Sequence, residues 1–253
     1  MEPTPPQTLG AYYQCHKNAA SFVRATQSFH KHYPQGTVVV VNDGGLDYAH
    51  FCQQHGIRYS YHPKQDTHSN ALLFGDATNT LIFLKRLWDS LPFYTESHII
   101  LLEDDVRVLR PHTIPFAYTI NGCNPNALLS PVLASLVDSQ GYGGPYFYGA
   151  CGGCILDREF LMAIPFINVE KVILSIPSGG ANWASDLILS FIVRYFGGTI
   201  GQFSEFAETW YSNISELIRN NRIAFLHQYK DEYDNRGVTP TADEMKLLGW
   251  DKP

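Results

Sequence analysis

The chain has 253 residues, 45% of them hydrophobic and 17% charged, with a formal net charge of -6, which suits a globular protein with a full core. The acidic balance argues against nucleic acid as a partner, because a groove that neutralises phosphates needs a basic patch. No apolar run approaches the roughly 20 residues of a membrane-spanning helix, and the opening MEPTPPQTLG has neither a basic flank nor an apolar stretch, so we expect a soluble, cytoplasmic chain without a transmembrane segment.

In chain order, Leu9–Gln14 reads as a short strand, and Asn18–Tyr33 carries Ala19, Phe22, Val23, Ala25 and Phe29 at helical spacing until Pro34-Gln35-Gly36 stops it. Thr37–Val41, with four valines, predicts a buried strand ending in Asn42-Asp43-Gly44-Gly45. Tyr48–His55 predicts a short helix closed by Gly56, and Ile57–Tyr61 a third strand. Alternation of this kind predicts a parallel sheet. Pro63–Asn70, with Lys64, Asp66 and His68, reads as a polar loop, and Ala77–Leu91 as a helix with Leu81, Leu84, Leu87 and Trp88 on one face.

The stretch Ser97–Arg110, SHIILLEDDVRVLR, follows. Ile99–Leu102 predicts a strand buried on both faces, and it runs directly into Glu103, Asp104 and Asp105. Three adjacent carboxylates repel one another and lose hydration when partly buried, so a positive group must offset them. A hard divalent cation, Mn²⁺ or Mg²⁺, suits oxygen ligands; a solvated acidic turn is the plainer alternative. Together with Asp43, the triplet presents acid at one rim of the sheet, where open α/β sheets bind ligands.

Beyond this point the composition changes. Gly122–Gly153 is rich in Gly, Pro, Ser, Asn and Tyr and predicts no long helix. Asp157–Ala163 reads as a short helix, Val169–Leu174 as an apolar segment, and Ser178-Gly179-Gly180 as a break. Trp183–Phe196 predicts a helix ended by Gly197-Gly198, with Asp186 at its start as either a cap or an ionised general base. Ile223–Leu226 reads as a last strand ahead of His227, and Thr241–Glu244 as the capping box of a terminal helix. The five cysteines are an odd number, so reduced thiols are expected. Cys151-Gly-Gly-Cys154 has the spacing of zinc or redox sites but lacks a second pair. Asn213-Ile-Ser215 is a formal glycosylation sequon, expected to be unused without secretion.

Taken in order, VVVVNDGG, LLEDDV, GACGGCILDR (Gly149–Arg158) and WASD (Trp183–Asp186) resemble the motifs of GT-A nucleotide-sugar glycosyltransferases over about Leu9 to Lys230. The first half resembles family 2 transferases, and the triplet resembles the EDD form of the DXD motif in N-acetylglucosaminyltransferase I. The resemblance implies a single-domain α/β GT-A (Rossmann-like) fold with a mixed, mainly parallel central sheet flanked by helices. It implies a nucleotide-binding half over 9–110, an acceptor-binding half over 111–230 and a tail over 231–253. For activity it implies metal-dependent, inverting transfer from a nucleoside diphosphate sugar, UDP favoured, to a glycan acceptor.

Residue by residue, the resemblance assigns Asp43, Glu103, Asp104, Lys230, His16 and Lys17 to the donor. It assigns Asp105 and His227 to the metal, and Asp186 to catalysis as the base. Tyr142, Tyr146, Gly152, Gly153 and Trp183 are the expected acceptor contacts. Two alternatives share such a fold: a nucleotidyltransferase of sugar phosphates, which needs a glycine-rich basic loop that Gln14–Asn18 lacks, and a non-catalytic carbohydrate-binding protein.

Overall fold

A computed structural model of the chain describes residues 8–15, 19–63, 77–122, 124–144, 146–177, 183–208, 220–227 and 242. The loop residues Lys64, Asp66 and His68, the break at Ser178–Gly180, the sequon at Asn213 and the capping-box residues Thr241 and Glu244 lie outside the described residues.

The frame is a seven-stranded sheet. Within it β1 (Leu9–Cys15) is flanked on both sides by parallel neighbours, β2 (Val38–Asn42) and β4 (His98–Leu102), the latter at the middle of the sheet. Beyond β2 lies β3 (Arg58–Tyr61), also parallel. On the other side β9 (Ile155–Asp157) is inserted antiparallel between β4 and β6 (Ile120–Asn121), and β10 (Ile200–Gly201) pairs in parallel with β6. The sheet is thus mixed and mainly parallel, in a single α/β domain.

Side chains alternate across each central strand, and two cores result. Tyr12, Val39, Val41, Ile99 and Leu101 face one core, and Leu9, Ala11, Tyr13, Val38, Val40, Ile100 and Leu102 the other. The second face is covered by α1 (Ala19–His32), whose Phe22, Val23, Ala25 and Phe29 are buried, and by α2 (Ala49–Gln54). The first face is covered by α3 (Ala77–Ser90), α4 (Pro131–Ser139), α6 (Phe166–Leu174) and α7 (Ser185–Tyr195), with the short α5 (Arg158–Met162) beside them.

Two local features add to the sequence expectation and a third differs from it. The Gly- and Pro-rich stretch after Gly122 contains the nine-residue α4, started by Ser130, whose side chain accepts from Leu133 N, and by Pro131 at the first turn. The apolar segment around Val169–Leu174 is the helix α6, begun at Phe166. The last strand among the described residues is β12 (Phe225–His227), so His227 lies within it rather than after it. Here β12 joins β11 (Phe206–Glu208) and β5 (Arg107–Val108) in a small three-stranded sheet, while β7 (Asn124–Leu128) and β8 (Phe147–Tyr148) form a separate antiparallel pair. Among the described residues no helix is long and apolar enough to cross a membrane.

Candidate active site

The C-terminal rim of the large sheet gathers the acids. Parallel pairing in register brings the ends of β2 and β4 level on either side of β1, with Tyr13 opposite both Val40 and Leu102. Successive β1 residues then serve opposite neighbours. Tyr13 donates its hydroxyl to Asp104 Oδ1, and Gln14 Nε2 donates to Asp43 Oδ2 at 3.3 Å. Asp43 is 2% exposed and paired with Arg86 of α3, itself buried. A buried carboxylate at a strand end is tolerated because a guanidinium reaches it from the covering helix.

Of the acidic triplet, Asp104 turns back toward β1. Burial pushes its carboxyl up to about 6; the Tyr13 hydrogen bond opposes this, and the Asp105 and Glu103 charges add to it. Glu103 and Asp105 converge instead on His227, whose Nε2 lies 3.6 Å from Glu103 Oε2 and 3.5 Å from Asp105 Oδ1. The small sheet accounts for this meeting. β12 runs antiparallel to β5, with Leu226 opposite Arg107, so the next residue of β12 returns toward the triplet. Its other neighbour, β11, sets Glu208 opposite His227, 3.6 Å from the ring Nδ1.

Burial alone would lower the His227 pKa. The facing Cys151, Glu103 and Glu208 outweigh that and hold it well above the ordinary value. A proton on this ring and a cation among its neighbours are alternative ways of offsetting the same negative charge. Glu103, Asp105 and His227 together could hold a metal ion, each offering one ligand atom.

The glycine segment explains how His227 and Glu103 come so close. Because β9 is antiparallel to β4, the residues preceding it lie beside the C-terminal end of β4, fixed by Gly153 N to Leu101 O at 2.7 Å and Leu101 N to Cys154 O at 3.0 Å. A Cβ on Gly152 would sit 2.7 Å from Glu103 Cδ and 2.9 Å from His227 Nε2, so only glycine leaves that space. Gly153 has a φ of 80°, a left-handed conformation that favours glycine. The CxxC is not a disulfide: Cys151 and Cys154 are both free and buried.

Asp186 lies in the first turn of α7. The N-cap position is Ala184, so Asp186 lies two residues inside the helix rather than at the cap. Asp186 Oδ1 accepts from Leu187 N at 2.8 Å, and the macrodipole favours its charge. One turn on, Ser190 ties α7 to the glycine segment, accepting from Gly149 N at 3.1 Å and Ala150 N at 3.0 Å while donating to Asp186 O at 3.0 Å. The structure therefore brings Glu103, Asp105, His227 and Gly152 into one cluster, and Ser190 joins the backbone at Asp186 to Gly149 and Ala150 just ahead of it.

The aromatic acceptor floor is not assembled there. Trp183 is 8% exposed and packed in the core under α7, its carbonyl accepting from Thr80 Oγ1 at 2.8 Å. Tyr142 packs against Gly197 at the opposite end of α7 from Asp186, about 15 Å away for eleven residues of helix. Tyr146 gives its hydroxyl to Asp138 at the end of α4. Trp183 is thus a core residue, whereas Tyr142 is exposed and the Tyr146 hydroxyl bond lies at the surface, all three apart from the Glu103–Asp105–His227 cluster. His16, Lys17 and Lys230 lie outside the described residues. Residues missed by sequence reasoning are Arg86, Tyr13, Gln14, Glu208 and Ser190. Arg86 had a signal, a charge beside the apolar face of a helix, which demands a partner.

Among solved structures, the chain is similar to the galactosyltransferase LgtC in complex with donor and acceptor sugar analogues, with a TM-score of 0.55 and 13% identity over 95% of each chain. An active-site variant of LgtC gives a TM-score of 0.54 at 14% identity, again over 95% of each chain. No protein-family model matches the sequence, and no curated protein does. At such identities the likeness is one of fold: the chain has the GT-A architecture.

Proposed function

We propose that the chain is a metal-dependent glycosyltransferase that moves a sugar from a nucleoside diphosphate sugar, in the first instance a UDP-sugar, to a hydroxyl of a glycan acceptor with inversion. The observation that carries this reading is the meeting of Glu103, Asp105 and His227 at the carboxyl rim of a parallel sheet of GT-A architecture, the position at which such sheets bind ligands. Two carboxylates and an imidazole suit Mn²⁺ or Mg²⁺, and the space that a Cβ at Gly152 would fill keeps the three donors open to one another. When bound, such a cation would stabilise the negative charge that grows on the departing nucleoside diphosphate.

The remaining residues take roles in binding and proton transfer. Asp43, held by Arg86 and Gln14, forms the wall at the end of β2 on which the nucleoside would rest. Asp104, fixed by Tyr13, faces the ribose side, and Lys230, His16 and Lys17 are candidates for the phosphates. Asp186, ionised at the start of α7, accepts the proton of the acceptor hydroxyl as that oxygen attacks the anomeric carbon opposite the leaving group. The Gly152–Gly153 segment, between the rim and α7, borders the acceptor.

The test is a thermal-shift panel of UDP-, GDP- and dTDP-sugars with and without Mn²⁺. A ligand at about 100 times its Kd adds about 2.7 kcal/mol to the folded state. Stabilisation by one nucleotide class that requires Mn²⁺ and is lost in Asp105→Ala is expected; no response to any donor would overturn the reading. Product anomer analysis by NMR tests inversion, with Asp186→Asn expected to lose about 10²-fold or more in transfer. Retention of configuration would remove Asp186 as the base.

A further inference from the structure

His227 has two ring edges, and the proposed reaction uses one. Nε2 faces Glu103 and Asp105, whereas Nδ1 is a buried atom without a hydrogen bond, 3.6 Å from Glu208 Oε1. That separation is too long for a hydrogen bond. It suits two ligands of one ion, since zinc bonds of about 2.0–2.1 Å at tetrahedral angles put the donors roughly 3.4 Å apart. Cys151, 3% exposed, completes the group: one donor atom each from Cys151, Glu208 and His227 lies within 4.8 Å of the others.

We propose that Cys151, Glu208 and His227 form a second metal site, selective for a soft divalent cation of the zinc type and separate from the carboxylate pair on the far edge of the ring. Sulfur, nitrogen and oxygen donors are the mixture zinc accepts, whereas Mn²⁺ and Mg²⁺ prefer oxygen. Three protein donors leave a fourth position for water. Binding forms the metal–sulfur bond and releases the thiol proton to solvent. β11 and β12 supply two of the ligands by direct register, Glu208 opposite His227, and the residue preceding Gly152 supplies the third.

The inference does not depend on the donor sugar or on transfer, and its test reads ligation directly. Reduced full-length protein is titrated with Co²⁺ as the spectroscopic stand-in for zinc, and the near-ultraviolet thiolate-to-cobalt absorption is followed. One equivalent is expected to produce the band. Cys151→Ser is expected to abolish it, Glu208→Ala to weaken cobalt affinity by about 10–100-fold, and Cys154→Ser to leave it unchanged. X-ray absorption on the wild-type protein loaded with one Zn²⁺ gives a second measurement should Cys151→Ser fold poorly, with one sulfur at about 2.3 Å expected beside lighter donors. Absence of the band, its persistence in Cys151→Ser, or a zinc shell without sulfur would overturn the proposal. Metal-dependent donor stabilisation could still be intact in each case, so failure here is distinguishable from failure of the transferase reading.

Discussion

In a Gly152→Ala variant the new methyl carbon would sit 2.7 Å from Glu103 Cδ, 2.8 Å from Glu103 Oε2 and 2.9 Å from His227 Nε2. Gly152 is not among the glycines with positive φ, so alanine adopts its backbone without strain and the conflict is one of side chains. The two neighbours differ in what they can give. The His227 side chain is 8% exposed and anchored in β12, whereas that of Glu103 is 42% exposed. Glu103 therefore swings outward, and the stability cost stays near the low end for overpacking, about 1 kcal/mol. The site loses one of three protein donors, which should weaken Mn²⁺ binding by about 10–100-fold, equivalent to about 1.4–2.7 kcal/mol. Calorimetric titration with Mn²⁺ measures the first quantity and urea unfolding the second. Affinity within about twofold of wild type in a normally folded variant would refute the reasoning, because it would mean that Glu103 is not a ligand.

Two other perturbations test buried charges, one behind the site and one beside the small sheet. Arg86→Leu leaves Asp43 buried without its guanidinium and should cost about 3–5 kcal/mol in urea unfolding, with much of the loss recovered when Asp43→Asn is added; a loss below 1 kcal/mol would show that water replaces the arginine. Glu205 accepts from Thr113 N at 2.8 Å and from Arg110 Nη2 at 3.1 Å. Burial would raise its pKa, but these partners outweigh burial and hold it below 4.5. A lowered native pKa stabilises the fold above the unfolded value, and the benefit disappears as pH falls through the native one. The stability gap between wild type and Glu205→Gln should therefore be full above pH about 5 and close in more acidic solution; a gap independent of pH would show that the charge contributes nothing.

How much of this was legible in the sequence varies with the length of the element concerned. β2 and β4 are runs of five buried residues, and such runs announce themselves, as do the acids at their ends. Helices α1, α3 and α7 carry apolar faces that repeat often enough to be read. β9 and β11 are three residues each, too short for any period, yet they bring Gly152 and Glu208 to the site. α4 was hidden by surrounding glycines, although Ser130-Pro131 is a start signal in its own right. Asp43 was visible as a strand-end acid, but its pairing with Arg86 spans 43 positions and is decided by how α3 packs. The aromatics could not be located from composition, which counts rings without placing them; Trp183 fills the core for the same reason most large apolar side chains do.

The arrival of His227 on the last described strand has a consequence for the chain as it is made. Synthesis delivers β1, β2 and β4 first, and with them the acids; the imidazole that closes the cluster comes near the far end of the described chain. Until β12 docks between β11 and β5, the two carboxylates face each other with no basic partner from that strand. A nascent or truncated chain would therefore present repelling charges in place of the assembled cluster. On the proposed reading, tight uptake of a hard cation would then mark completion, and could be used in the laboratory to separate fully folded molecules from fragments that merely look compact.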